Sequence, residues 1–156
     1  MSTVYIETTI VGHLAGRTHP DPIVAARQAT TREWWATKSA HYEIFISQLV
    51  LDECSAGDPS AAEERLREVE RVRLLARVPD ADELTKALIA AKAIPASEPR
   101  DAFHIAIAAV HGIEYLLTWN FAHIANAALR HRIERECRNA GFEPPIICTP
   151  DELLGD

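Results

Sequence analysis

Short apolar runs without alternation punctuate this chain: Val4-Tyr5-Ile6, Ile44-Phe45-Ile46, Leu74-Leu75-Ala76, Tyr115-Leu116-Leu117 and Ile146-Ile147-Cys148. Runs of that length with apolar residues on both faces predict short buried strands. They fall at residues 4–6, 43–46, 73–76, 115–118 and 145–148, the third being the weakest. Between them, apolar positions recur at helical spacing. Residues 8–15 read as a short helix stopped by Gly16, and residues 22–39 as a longer one with Asp21 as N-cap and Pro22 at its first position. Ser47 caps a short helix ending at Glu53, and Asp58-Pro59 starts a charged helix running to Val69. Asp80-Ala81-Asp82-Glu83 matches a capping box opening a helix to Lys92. Residues 122–139 read as one helix with Gly141 as the stop signal, and residues 150–154 as a terminal turn.

Strands and helices therefore alternate along the whole length, which predicts a parallel sheet covered by helices on both sides. One domain spanning residues 1–156 is expected from the length. In such folds ligands bind at the carboxyl ends of the strands. Four hard oxygen donors fall there or beside it: Glu7 after the first strand, Glu53 in the helix after the second, Asp101 at the start of a helix, and Asn120 after the fourth. Carboxylates, an amide oxygen and water suit Mg²⁺ or Mn²⁺ rather than zinc or copper.

The helix that Asp101 opens is apolar around most of its circumference. From Asp101 onward its polar residues are Asp101, His104 and His111, which at 100° per residue share one narrow stripe. The two histidines serve either as phosphate contacts or as hydrogen-bonded packing residues, the latter being the default. Trp34 and Trp35 point 100° apart, so at most one lies fully in the core. His123 and Asn126 follow Asn120 closely and are read either as lining a groove for RNA or, equally, as helix-surface residues. Arg17, His19 and Arg32 are read as solvated charges by default, with phosphate contact as the alternative.

Composition narrows the function classes. The net charge of −7 argues against a general polyanion binder, yet an acidic site that takes up divalent cations adds negative charge of its own. Cys54, Cys137 and Cys148 have no zinc spacing and read as reduced thiols of a cytoplasmic protein. No apolar run approaches a membrane span, and the N-terminal residues lack a signal-peptide pattern. No glycine-rich phosphate loop follows any strand, which disfavours a nucleotide-binding or phosphotransfer protein.

Four segments follow one another in this order and spacing: Val4-Tyr5-Ile6-Glu7-Thr8-Thr9, Ile46-Ser47-Gln48-Leu49-Val50-Leu51-Asp52-Glu53, Asp101-Ala102-Phe103-His104-Ile105-Ala106 and Leu116-Leu117-Thr118-Trp119-Asn120-Phe121. Together they resemble the PIN-domain ribonucleases, particularly the VapC-like toxins of toxin–antitoxin pairs. The resemblance implies a three-layer α/β/α sandwich around a short-stranded parallel sheet. It implies an Mg²⁺- or Mn²⁺-dependent endoribonuclease with Glu7, Glu53 and Asp101 as metal-binding catalytic acids, Asn120 in the place of a fourth, and Thr8 and Thr118 in support; His104, on the stripe of Asp101, is a further supporting candidate. Two positions depart from the family pattern: the first acid is usually aspartate rather than Glu7, and the fourth is often aspartate rather than Asn120. RNA as substrate, a cognate antitoxin protein and a homodimer follow as expected partners, with no membrane. The alternative is a PIN module without catalysis that binds RNA or a protein.

Overall fold

The computed structural model describes residues 1–155. Strands β1 (Ser2–Ile6), β2 (Tyr42–Ile46), β3 (Arg73–Leu74), β4 (Tyr115–Leu117) and β5 (Ile146–Cys148) form one sheet in the order β3-β2-β1-β4-β5. Every adjacent pair is parallel. The helices are α1 (Thr8–Leu14), α2 (Pro22–Lys38), α3 (Gln48–Cys54), α4 (Pro59–Glu68), α5 (Pro79–Ala90), α6 (Pro99–Val110) and α7 (Arg130–Asn139). Helix α1 packs with α2, α3 and α4, and α5 packs with α6 and α7. This is an α/β/α sandwich on a short-stranded parallel sheet, as the alternation of elements predicts.

Burial explains the sequence pattern. In β1, Val4, Tyr5 and Ile6 are completely buried, as a central strand covered on both faces must be. Ile105 and Ile107 put the apolar circumference of α6 into the same core. Trp34 is fully buried while Trp35 is only partly so. Asp21 caps α2 by accepting from the amides of Ile23 and Val24. Gly112 ends α6 with a φ of 67°, a left-handed turn that disfavours a side chain. Among the described residues no helix is long and apolar enough to cross a membrane.

The strand order places a topological switch beside β1. From β1 the chain moves outward through β2 and β3, then returns to the other side of β1 as β4. The crevice between the carboxyl ends of β1 and β4 is where this architecture binds ligands. Two amides knit it: Glu7 donates to the carbonyl of Leu117 and Thr118 to that of Cys148, both at 3.0 Å. Glu7 and Thr118 thus stand side by side just beyond their strands.

Three local expectations fail, each for a visible reason. Residues 121–129 are turns, and helix begins only at Arg130. Asn120 Oδ1 accepts from the His123 amide, and Asn126 bonds both the Ala122 carbonyl and the Ala128 amide. Such side-chain bonds compete with the helical ladder. The capping box at residues 80–83 does not form, because α5 starts at Pro79, which has no amide to satisfy, and Asp82 pairs with Arg77 at 2.6 Å. Ser47 precedes α3 but does not cap it with its hydroxyl, which bonds Tyr5 instead.

Candidate metal centre

Glu7 is the most buried of the acids, at 4% exposure. Its Oε1 accepts from the hydroxyls of Thr118, at 2.6 Å, and Thr9, at 2.5 Å. Both threonines are themselves fixed by the backbone they meet. Thr9 Oγ1 accepts from the amide of Trp119, and Thr118 Oγ1 from that of Asn120. The start of α1 and the end of β4 are thereby tied together through one carboxylate oxygen.

Glu53 comes from α3. Its Oε1 accepts from Thr8 Oγ1 at 2.7 Å and meets His104 Nε2 at 2.6 Å. Burial raises the Glu53 pKa, but the His104 hydrogen bond and charge, the Thr8 hydroxyl and the charge of Arg100 together hold it below its ordinary value. An ionised carboxylate only accepts, so the proton of the His104–Glu53 bond sits on Nε2. The other ring nitrogen, Nδ1, faces the Tyr5 hydroxyl at 2.7 Å, and that hydroxyl meets Ser47 Oγ at 2.8 Å. Burial, chiefly, drives the Tyr5 pKa far upward, so the phenol stays neutral. A chain of hydrogen bonds therefore runs from Ser47 through Tyr5 and His104 to Glu53 and Thr8.

Ligand atoms of Glu7, Glu53 and His104 all lie within 4.8 Å of one another. Asp101 stands in a second such group, with Glu98 and His123, and its Oδ2 meets His123 Nδ1 at 2.9 Å. The two groups adjoin, since Asp101 and His104 are one turn apart on α6. Asn120 is beside them, but its side-chain oxygen is engaged by the His123 amide. His111 lies away from both groups, bonded to the Ala76 carbonyl. Arg32 braces the end of α1 through the carbonyls of Ala15 and Gly16.

The donor set fits a hard divalent cation. Among the described residues, no hydrogen bond reaches Oε2 of Glu7, Oε2 of Glu53 or Oδ1 of Asp101; each carboxylate is anchored by one oxygen only. Two carboxylates this close, one of them buried, repel unless a proton or cation lies between them. Oxygen donors favour Mg²⁺, Mn²⁺ or Ca²⁺ over softer ions. No motif in the sequence marks Thr9, Tyr5 or Ser47 as parts of this site, and His123 reads there only as a groove or helix-surface residue. The repeated hydroxyls of Thr8-Thr9 were the available signal: successive residues that reach different carboxylates.

The PIN domain family model matches residues 4–135. No curated protein matches the chain.

Proposed function

Because the chain belongs to the PIN domain family, whose members are in general metal-dependent nucleases, we propose that it is an endoribonuclease dependent on Mg²⁺ or Mn²⁺. The observation that carries this reading is the pair Glu7 and Glu53, with ligand atoms within 4.8 Å of one another and one oxygen of each left without a hydrogen bond. Glu7, Glu53 and Asp101 would hold the cation, and Asn120 would assist from the end of β4. A divalent ion held there would neutralise charge on a phosphodiester and lower the pKa of coordinated water.

The chain's own residues supply order. Thr9 and Thr118 hold Glu7; Thr8 and His104 hold Glu53; His123 holds Asp101. Orienting groups of this kind fix the free oxygens before any ligand arrives. The carboxyl edge of the sheet at the β1–β4 switch point is where a strand of RNA would cross beside these acids. We read the chain as one PIN unit over residues 1–156, acting in the cytoplasm as the toxin of a toxin–antitoxin pair, with a cognate antitoxin and a second copy of itself as partners.

Incubation with single-stranded and structured RNA in Mn²⁺ or Mg²⁺, beside Asp101→Asn, tests the activity. Cleavage by the wild type alone supports it. RNA left equally intact by both proteins in both metals would transfer the assignment to a binding module without catalysis. An adjacent gene for a small DNA-binding protein, and growth arrest on expression relieved by that protein, are expected of a toxin; their absence would leave an RNA-processing enzyme.

A further inference from the structure

Next to the carboxylates, but outside them, α3, α5 and α6, with the segment after β3, line an open hollow of about 280 Å³. The two places share walls. Helix α3 gives Glu53 to the carboxylates and Leu49 and Asp52 to the hollow; α6 gives Asp101 and His104 to the first and Arg100, Phe103 and Ile107 to the second. At 100° per residue these are adjoining stripes of the same helices. We propose that this hollow receives one unpaired nucleobase of the RNA strand, immediately beside the phosphate that lies at the carboxylates. The proposal rests on the nuclease reading and adds a substrate subsite to it.

The chemistry of the walls selects the occupant. The floor is apolar, from Leu75 and Ile107 with the ring of Phe103. The Arg77 guanidinium lies over that ring, 5.0 Å from its centre, and is steadied by Asp82 at 2.6 Å. Flat aromatic and guanidinium surfaces are what an unstacked base packs on. The rim is polar: Gln48 and Asp52 hydrogen-bond each other at 3.0 Å and present amide and carboxylate groups to the edge of a base. Volume sets an upper limit, since sites for drug-sized ligands start at about 300 Å³. At about 280 Å³ the hollow has room for a single nucleobase.

Charge provides the link to the backbone. Arg100 lies at the hollow, and among the described residues it makes no hydrogen bond or ion pair. Its charge is nonetheless felt at Glu53. A free guanidinium between a base-sized hollow and a cation site is suited to the phosphate joining one nucleotide to the next. The RNA therefore has to be single-stranded or looped where it is cut.

Amide-resolved NMR titration of the metal-free protein with AMP, GMP, CMP and UMP, against ribose 5-phosphate, tests the hollow without any need for cleavage. At millimolar concentration at least one nucleotide should move the signals of Leu49, Thr85 and Phe103, and ribose 5-phosphate should not. Equal shifts with ribose 5-phosphate, or none with any nucleotide, would overturn the proposal. So would shifts caused by an apolar peptide alone, which would assign the surface to a protein partner. A second arm uses Thr85→Trp, which fills the hollow from α5, a helix that carries none of Glu7, Glu53 and Asp101. With its fold verified by the same spectra, its KM for a single-stranded oligonucleotide should rise about tenfold or more, as loss of one stacked base requires. An abasic nucleotide beside the cut should produce that rise in the wild type and no further rise in the variant. An unchanged KM would sink the subsite and leave the nuclease reading standing. Absence of cleavage by either protein counts against the nuclease reading alone, because the nucleotide titration still decides the hollow.

Discussion

The phenol of Tyr5 and the imidazole of His104 lie 99 positions apart in sequence and 2.7 Å apart in the fold. Tyr5 sits in the central strand and His104 in the most apolar helix, both fully buried, so their hydrogen bond is made away from water. It leaves the opposite ring nitrogen of His104 facing Glu53. Tyr5→Phe keeps the ring and deletes the hydroxyl, stranding His104 Nδ1 and Ser47 Oγ. Urea denaturation should show a loss of about 1–3 kcal/mol. Mn²⁺ affinity measured by calorimetry should fall roughly tenfold, in the range expected when an orienting partner is removed. Full metal affinity in a correctly folded variant would show that Tyr5 supports the core alone.

Glu7 is held by two hydroxyls, which makes its orientation separable from its charge. Thr118→Val and Thr9→Val preserve shape at β4 and α1 but each remove one donor to Oε1. Each should weaken Mn²⁺ binding by about 10–100-fold. RNA cleavage at limiting metal should fall with it and recover substantially when Mn²⁺ is raised. A defect that no metal concentration relieves would place the hydroxyls in the reaction itself.

Acid should weaken the fold partly through Glu53. Its carboxyl titrates below the ordinary value of 4.5 in the folded protein, so the ionised form stabilises the fold above that pH. That contribution is lost as pH falls through the lowered folded-state pKa. Without metal, the stability difference between wild type and Glu53→Gln should therefore shrink in urea melts as pH drops from about 4.5 toward the lowered value. A difference independent of pH across that range would contradict the charge on Glu53.

The three thiols should be silent in the native state. Burial pushes Cys54 up to about 11 and Cys137 and Cys148 up to about 12, so little thiolate exists near neutral pH. Iodoacetamide at pH 8 should label the folded protein slowly and all three cysteines rapidly in denaturant. Fast native labelling at any of them would reveal local opening at that site.

The sequence made the layered fold legible because strands covered on both faces must be apolar throughout, as Val4, Tyr5 and Ile6 are. Helical arithmetic also put Asp101 and His104 on one stripe of α6. It could not tell that His104 would turn to Glu53 while His111 bonded the Ala76 carbonyl, since both partners come from distant segments. Residues 122–139 misled for the opposite reason. Ile124, Leu129, Ile133 and Cys137 have spacing compatible with a helix, but periodicity is blind to the local bonds of Asn120 and Asn126. The same blindness covers Asn120 itself: its identity suggests a ligand oxygen, and only the fold shows that this oxygen also accepts from the His123 amide in a turn. In the sequence Tyr5 is indistinguishable from strand filling, because nothing in a single sequence reports a hydroxyl buried against Ser47.

The parallel pairing of β1 with β4 also imposes an order in time. During synthesis, Glu7 emerges 111 residues before Thr118, the hydroxyl that orients it, and β1 has no neighbour on that side until β4 follows. A nascent chain that has passed Glu53 already carries two of the acids, yet lacks the strand, the threonine and the α6 histidine that set them in place. The ribosome and messenger making the protein thus meet the assembled centre only after most of the chain has been translated.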